Sequence, residues 1–342
     1  MQKDYEIKLY TLAGVLIKTI ERSLIKSEIA FSSSINSWPG EIKILLNVPF
    51  SYSGVSANNV IRVYEFDEDS PSTWRNIYTG IIQRVTRSMR GGMETVELSA
   101  LWIHVLLTHL YFYNAGYTFT VTDEPKNIIE DIIDYMNSIY TWAWLTYDGA
   151  SLDTYGSNIS LDIAYTKCND VLKDIVKSTN YYFVFDGTGK LFFREKPTTA
   201  TLSLTFEKDI DEITLEEDYE KIINKYILTY KTATLAPVID ATSQTANGLR
   251  ELYEQRTQIA DATTAWDYAS SYIADGKNYK KKTRIVVNSG VVLEDILPGI
   301  ATKVLNISYP IDDVIIQKVS YTSKKCTLEV DTIKNFILEL NS

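Results

Sequence analysis

The stretch from Tyr165 to Pro197, YTKCNDVLKDIVKSTNYYFVFDGTGKLFFREKP, changes its hydrophobic period partway along, and that change fixes what it can fold into. Val171, Leu172, Ile175 and Val176 recur at the spacing of one helix face, with Thr166 or Asn169 available as the N-cap. From Tyr181 the pattern is that of a strand: Tyr181, Phe183 and Phe185 alternate with Tyr182 and Val184. Asp186-Gly187-Thr188-Gly189 supplies turn residues, and Leu191, Phe192 and Phe193 form a return strand. The expectation is a short amphipathic helix followed by an aromatic hairpin. Burying the four aliphatic residues contributes roughly 1.5–3 kcal/mol each. That is enough to dock a helix too short to be stable alone.

Residues 1–110 read as β-structure. Tyr5 to Tyr10 alternates, Leu12-Ala13-Gly14 is a turn, and Val15 to Ile20 returns. Ile25 to Ile35 follows as a strand, then Trp38-Pro39-Gly40 as a turn and Glu41 to Pro49 as another strand. Val60 to Phe66 comes next, and an acidic loop, Asp67 to Ser72, leads to Trp74. Asn76 to Ser88 pairs naturally with Glu94 to Ala100 across Arg90-Gly91-Gly92, a single copy that reads as a hairpin turn rather than an RNA-type box. Short strands at this spacing suggest a barrel or a sandwich.

The middle of the chain is mixed. Tyr117 to Val121 and Trp142 to Asp148 are strand-like. Between them Asp123 can cap a helix that has Pro125 in its first turn and buries Ile128, Ile129, Ile132, Ile133 and Met136. Thr201 to Phe206 and Tyr226 to Tyr230 are strands. The run between them, Glu207 to Glu220, holds eight carboxylates and one Lys. It lacks the spacing and the glycine of a calcium loop, so it is expected to be a solvated loop or a face set against a basic partner. Residues 236–280 read as a loop plus helices, with Asp261 capping Ala262 to Asp275 and Gly276 at C′. Lys277, Lys280, Lys281, Lys282 and Arg284 then reverse the charge, and the expected counterpart is the acidic run of a neighbouring subunit. The chain finishes in strands: Arg284 to Asn288, Ala301 to Ile307 after the turn Leu297-Pro298-Gly299, Val314 to Tyr321, and Thr327 to Thr332.

Charge and composition narrow the function classes. A formal net charge of −10 disfavours gripping nucleic acid by counterion release and disfavours an anionic membrane surface. Cys168 and Cys326 stand far apart with no CxxC or neighbouring His, so neither a disulfide framework nor a zinc site is expected, and both read as buried small hydrophobes. The longest apolar run, Leu101 to Tyr113, is interrupted by His104, Thr108 and His109 and is too short to span a bilayer, so no membrane insertion is expected. Met1 leads directly into an alternating strand, which implies synthesis in the cytoplasm. Tyrosine outnumbers phenylalanine 24 to 11, as suits strands or subunit interfaces. GxSxG, HExxH, P-loop and Rossmann glycine patterns are all missing. His104 and His109 fall at i and i+5, which does not aim both at one helix face, and Asp186 to Gly189 is a turn rather than a phosphate loop. No catalytic residue, cofactor-binding residue or metal ligand is therefore assigned, and the protein is expected not to be an enzyme and to carry no cofactor.

The order of elements resembles the tail hub proteins of long-tailed bacteriophages, the baseplate-hub-like family. The marks are Ile77-Tyr78-Thr79-Gly80-Ile81-Ile82-Gln83-Arg84-Val85 ahead of Glu97-Leu98-Ser99-Ala100, the helix–hairpin 165–197, and Asn224-Lys225-Tyr226-Ile227-Leu228-Thr229-Tyr230. To these are added Asn247-Gly248-Leu249-Arg250-Glu251, where the family often has Tyr before the Gly, the turn and strand from Leu297 to Val304, with Ile300 in place of an Asp, and a closing hairpin over 314–330.

The resemblance implies an α+β, mainly β fold: two β-barrel domains per chain, forming a pseudo-sixfold ring in a homotrimer, with inserted α/β domains. The first barrel is expected over 1–110 and the second over 197–235 with 281–342; the inserted α/β domain covers 111–196, and 236–280 is its helical part. It further implies a structural virion protein at the tail tip. Its partners would be the tail tube or distal tail protein ring, tip, fibre or receptor-binding proteins, and the tape measure protein, with DNA passing through the lumen without specific binding. Two other readings compete: a tail-associated cell-wall hydrolase working through a carboxylate pair, and a host-glycan-binding module using Trp and Tyr.

Overall fold

The computed structural model describes residues 4–36, 40–49, 54–66, 74–90, 93–112, 120–140, 142–179, 181–220, 222–230, 233–256, 262–277, 280–288, 296–307, 313–322 and 325–332. The chain divides into two compact units, 1–213 with 285–342, and 214–284. In chain order the first strands are β1 (Tyr5–Tyr10), β2 (Leu16–Ile20), β3 (Ala30–Ser34), β4 (Glu41–Pro49), β5 (Val60–Phe66), β6 (Trp74–Arg90) and β7 (Met93–Trp102). Then come α1 (Leu106–His109), β8 (Thr120–Asp123), α2 (Pro125–Ile139), β9 (Ile159–Asp162), α3 (Cys168–Ser178), β10 (Tyr181–Phe185) and β11 (Leu191–Glu195). The remainder comprises β12 (Leu202–Thr205), β13 (Ile210–Asp218), β14 (Lys225–Tyr230), β15 (Ala233–Thr234), β16 (Val238–Ile239), α4 (Ala241–Asn247) and β17 (Glu251–Arg256). It closes with α5 (Ala262–Gly276), β18 (Lys280–Val287), β19 (Ala301–Leu305), β20 (Val314–Thr322) and β21 (Cys326–Thr332). The chain is mainly β.

The first sheet has the order β2-β1-β5-β6-β7-β4, every neighbour antiparallel. Its strands alternate as their sequences do: Tyr5, Ile7 and Leu9 on β1 and Ile42, Ile44, Leu46 and Val48 on β4 are buried. Register shifts at Leu9/Tyr10, Val63/Tyr64 and Ile82/Arg84 bend the strands and curl the sheet. In the second sheet the order is β12-β19-β20-β21-β18-β13. Strand β20 shares one edge between two neighbours: Val314 and Ile315 pair with β19, and Lys318 to Thr322 pair with β3. So a strand from the N-terminal block is built into the C-terminal sheet. The span Ile25 to Ile35 reads as a strand in the sequence; only Ala30–Ser34 is a strand in it, and its partner lies almost 290 residues away in sequence, roughly the separation of Ser32 and Ser320.

The inner faces of the two sheets form one continuous hydrophobic cluster, from Tyr5 and Ile7 through Trp102 to Ile316 and Val330. Phe31 stacks on Tyr321 at 4.9 Å and meets Trp102 edge-on at 5.5 Å. Beside them Tyr5 Oη lies 2.6 Å from Tyr321 Oη, and the Tyr321 hydroxyl donates to the buried Glu65 carboxylate at 2.6 Å. Burial first, then the Glu65 charge, holds the Tyr321 phenol well above the usual tyrosine range.

The helix–hairpin unit forms as its periods predict, with α3 burying Val171, Leu172, Ile175 and Val176 and β10 pairing with β11. Its N-cap differs from expectation. Lys167 holds that position without a side-chain bond, while Asn169 lies inside the helix, buried. The cap preference yields here because Cys168 N donates to Leu110 O and Phe112 N to Thr166 O, so tertiary pairing fixes the entry. On α2 the expected Ile128, Ile129, Ile132, Ile133 and Met136 are all buried; Glu124 is the N-cap, and Asp123 instead accepts from Glu124 N and Asn127 Nδ2. Trp142 to Asp148, expected as a strand, contributes one bridge, Thr146 to Lys190; Trp144 is core, its indole N–H donating to Leu12 O at 2.7 Å.

Two glycines fix where the hairpin sits. Gly187 lies so close to β6 that a Cβ there would stand 2.5 Å from the Ile77 carbonyl carbon, and Thr79 Oγ1 donates to Gly187 O. Gly299 has φ +94°, and a Cβ on it would lie 2.0 Å from the Tyr182 ring, whose hydroxyl donates to Gly299 O at 3.0 Å.

The unit 214–284 has its own sheet and core. Strand β14 pairs antiparallel with β15 and β16 along one edge and parallel with β17 along the other. Helix α5 lays Ala265, Ala269 and Ile273 on Tyr226, Leu228 and Val238. The strand at 225–230 was expected beside the strands of 281–342, and it pairs here with its own neighbours in sequence. Strand β17 was expected within a loop-plus-helix region. It alternates half-buried Leu252, Glu254 and Arg256 with exposed Glu251, Tyr253 and Gln255, a polar pattern that hides strand character. The acidic run 207–220 is likewise a strand in its centre, β13, rather than a loop, carried by Ile210 and Ile213. The turn residues 37–39, the loop 67–72, Gly91, Gly92 and Asp261 lie outside the described residues.

Candidate functional site

The reactive side chains singled out in the sequence are not brought together. His104 follows β7 and is buried, its ring lying flat on Phe185 at 4.5 Å and 8°, and burial pushes its pKa down to about 3. His109 ends α1 and is exposed. Cys168 and Cys326 are buried free thiols, and burial pushes Cys168 up to about 12. Among the described residues no group of three His, Cys, Asp or Glu side chains is placed to hold a metal ion, and no helix is long and apolar enough to cross a membrane. In the Asp186–Gly189 turn, Asp186 Oδ1 accepts from Thr188 N, Thr188 Oγ1 and Lys190 N, so the turn is satisfied internally. Arg284 of the basic run lies on β18, which neighbours β13 of the acidic run in the second sheet, while Lys277 pairs with Asp240 at 3.1 Å.

What the surface offers is apolar side chains left in solvent. Near the β1–β2 turn, Val15 and Leu16 are exposed, and Trp142 lies directly on Gly14, where a Cβ would stand 2.2 Å from its ring. Ile139, three residues before Trp142, is exposed as well. A second corner is built by Tyr111, which bridges to Lys167, and Tyr165, which is 85% exposed with φ +56°. A bulky residue held left-handed with its ring in water is costly for folding alone. In the 214–284 unit, Ile239 and Tyr253 are exposed on the sheet. Of the tryptophans, Trp102 and Trp144 are core, while Trp74, Trp142 and Trp266 remain partly in solvent. Exposed aromatic and aliphatic residues of this kind are the raw material of protein interfaces. No sequence signal marked these positions, because an exposed Trp or Tyr in a strand-rich chain looks like core.

No protein-family model matches the chain, and no curated protein matches it. Solved structures do. The 43 kDa tail protein of prophage MuSo2 from Shewanella oneidensis superposes with a TM-score of 0.65 at 13% identity, covering 97% of this chain and 99% of that one. A tail protein from Neisseria meningitidis MC58 gives 0.60 at 12% identity over 96% of each chain. A component of the type VI secretion system of E. coli, described as similar to the phage T4 tail proteins gp27 and gp5, gives 0.51 at 10% identity over 92% of this chain and 75% of that one.

Proposed function

From the fold that this chain shares with phage tail proteins, we propose that it is a structural component of a phage tail, acting as the trimeric hub of the tail tip or baseplate. The observation that carries this reading is correspondence over whole chains, 97% of one and 99% of the other, with a tail protein of nearly unrelated sequence. In this reading the work is done by interfaces rather than by a catalytic centre. One side of a ring of three copies meets the tail tube or distal tail protein ring. The other meets tip, fibre or receptor-binding proteins, and the tape measure protein ends at the hub.

Two features of the chain support that role. The exposed Trp142, Tyr111 and Tyr165 provide side chains of the type found at the centres of protein interfaces. The net charge of −10 suits a ring whose lumen passes a polyanion without retaining it. Electron microscopy of the purified chain tests the reading: ring-shaped particles with threefold symmetry and a central channel are expected, and particles without a channel at every concentration would argue against it.

A further inference from the structure

His104 closes a small cavity where three parts of the larger unit meet. Ser32 to Ser34 of β3 line one side, Gly40 and Trp102 another, and Phe183 to Phe185 of β10 the third. Polar contacts tie the parts together around it. Trp102 Nε1 donates to Ser32 O at 2.9 Å, and Asn36 and Phe183 exchange two bonds, Asn36 N to Phe183 O at 3.0 Å and Phe183 N to Asn36 Oδ1 at 2.8 Å. His104 is 6% exposed, and neither ring nitrogen has a hydrogen-bond partner among the described residues. It contributes to this junction through ring contact alone, parallel to Phe185 at 4.5 Å and facing Trp102 at 6.4 Å.

We propose that this junction is an acid-sensitive latch: neutral His104 packs β10 against β3 and the end of β7, and a proton on its ring opens that contact ahead of the sheets. None of the residues lining the cavity carries a charge. The ionisable side chains flanking the lining are engaged elsewhere, Glu41 with Ser99 and Asp186 with Thr188 and the Lys190 amide. No carboxylate thus faces the ring to stabilise its cation, and burial alone sets its low proton affinity. An imidazolium must find acceptors for two N–H donors, and separation of the three walls lets water supply them.

The sign follows from linkage. The folded pKa of about 3 lies below the ordinary 6.5, so the closed junction is fully favoured above pH 6.5 and loses ground as pH falls toward 3. The opening equilibrium shifts by up to roughly tenfold per pH unit in that window.

Hydrogen–deuterium exchange on the full chain, corrected for the intrinsic pH dependence of amide exchange, tests this. Between about pH 7.5 and pH 4.5, the amides of Asn36 and Phe183, which bond across the junction, should lose up to roughly hundredfold protection, while those of 42–48 and 96–100 keep theirs. In His104→Phe, which keeps a stacked ring without a proton site, the selective loss should vanish. His104→Gln, polar but non-titrating, should show the same pH independence from a lower starting protection. Equal acid sensitivity in wild type and either variant, no loss in wild type, or parallel loss across the sheet core would overturn the latch.

Discussion

Tyr321 joins the two sheets at a buried point. Its ring stacks on Phe31 of β3, and its hydroxyl meets both Tyr5 of the first sheet and Glu65 of β5. Tyr321→Phe keeps the stack and removes the hydroxyl, and it should cost about 1–3 kcal/mol by urea denaturation. Burial raises both the Tyr5 and Tyr321 phenols above 10, so their contribution is complete below pH 10 and is lost as pH rises beyond it. Wild type should therefore lose stability between about pH 10 and 12 more steeply than a Tyr5→Phe, Tyr321→Phe double variant. Gly299 makes a second prediction at this scale. Both its φ of +94° and the Tyr182 ring exclude a side chain, so Gly299→Ala should destabilise by at least about 1 kcal/mol, read as a lower denaturation midpoint.

Among the elements, α3 is where local pattern and tertiary packing agree. Its four expected apolar residues face the cluster that also holds Phe183, Leu191 and Phe193. Ile175→Ala should cost about 2–5 kcal/mol, and limited proteolysis should then cut first within 111–196. The helix and hairpin were legible because one period gives way to another within a few residues, and Asp186 to Gly189 marks the turn. Strand β13 was hidden by its carboxylates, with Ile210 and Ile213 too sparse to announce a strand. Strand β17 was hidden because the half-buried side of its alternation carries Glu254 and Arg256, paired with each other at 2.6 Å. The partner of β3 could not be read at all, since nothing in Ala30 to Ser34 points to Lys318 to Thr322 rather than to a nearer strand. The exposed Trp142 and Tyr165 share that limit, because exposure is a property of what the rest of the chain leaves uncovered.

For the whole molecule, charge and self-assembly are the properties to test. With 44 carboxylates against 34 Lys and Arg, the chain should not retain duplex DNA at physiological ionic strength in a gel-shift experiment, and retention would remove the argument for a non-binding lumen. The proposed function rests on interfaces, and interfaces are read most directly as mass. Light scattering after size exclusion measures it. A trimeric hub gives a species of three times the 38.9 kDa chain mass, and a single species of one chain mass at the highest concentration reached would contradict it.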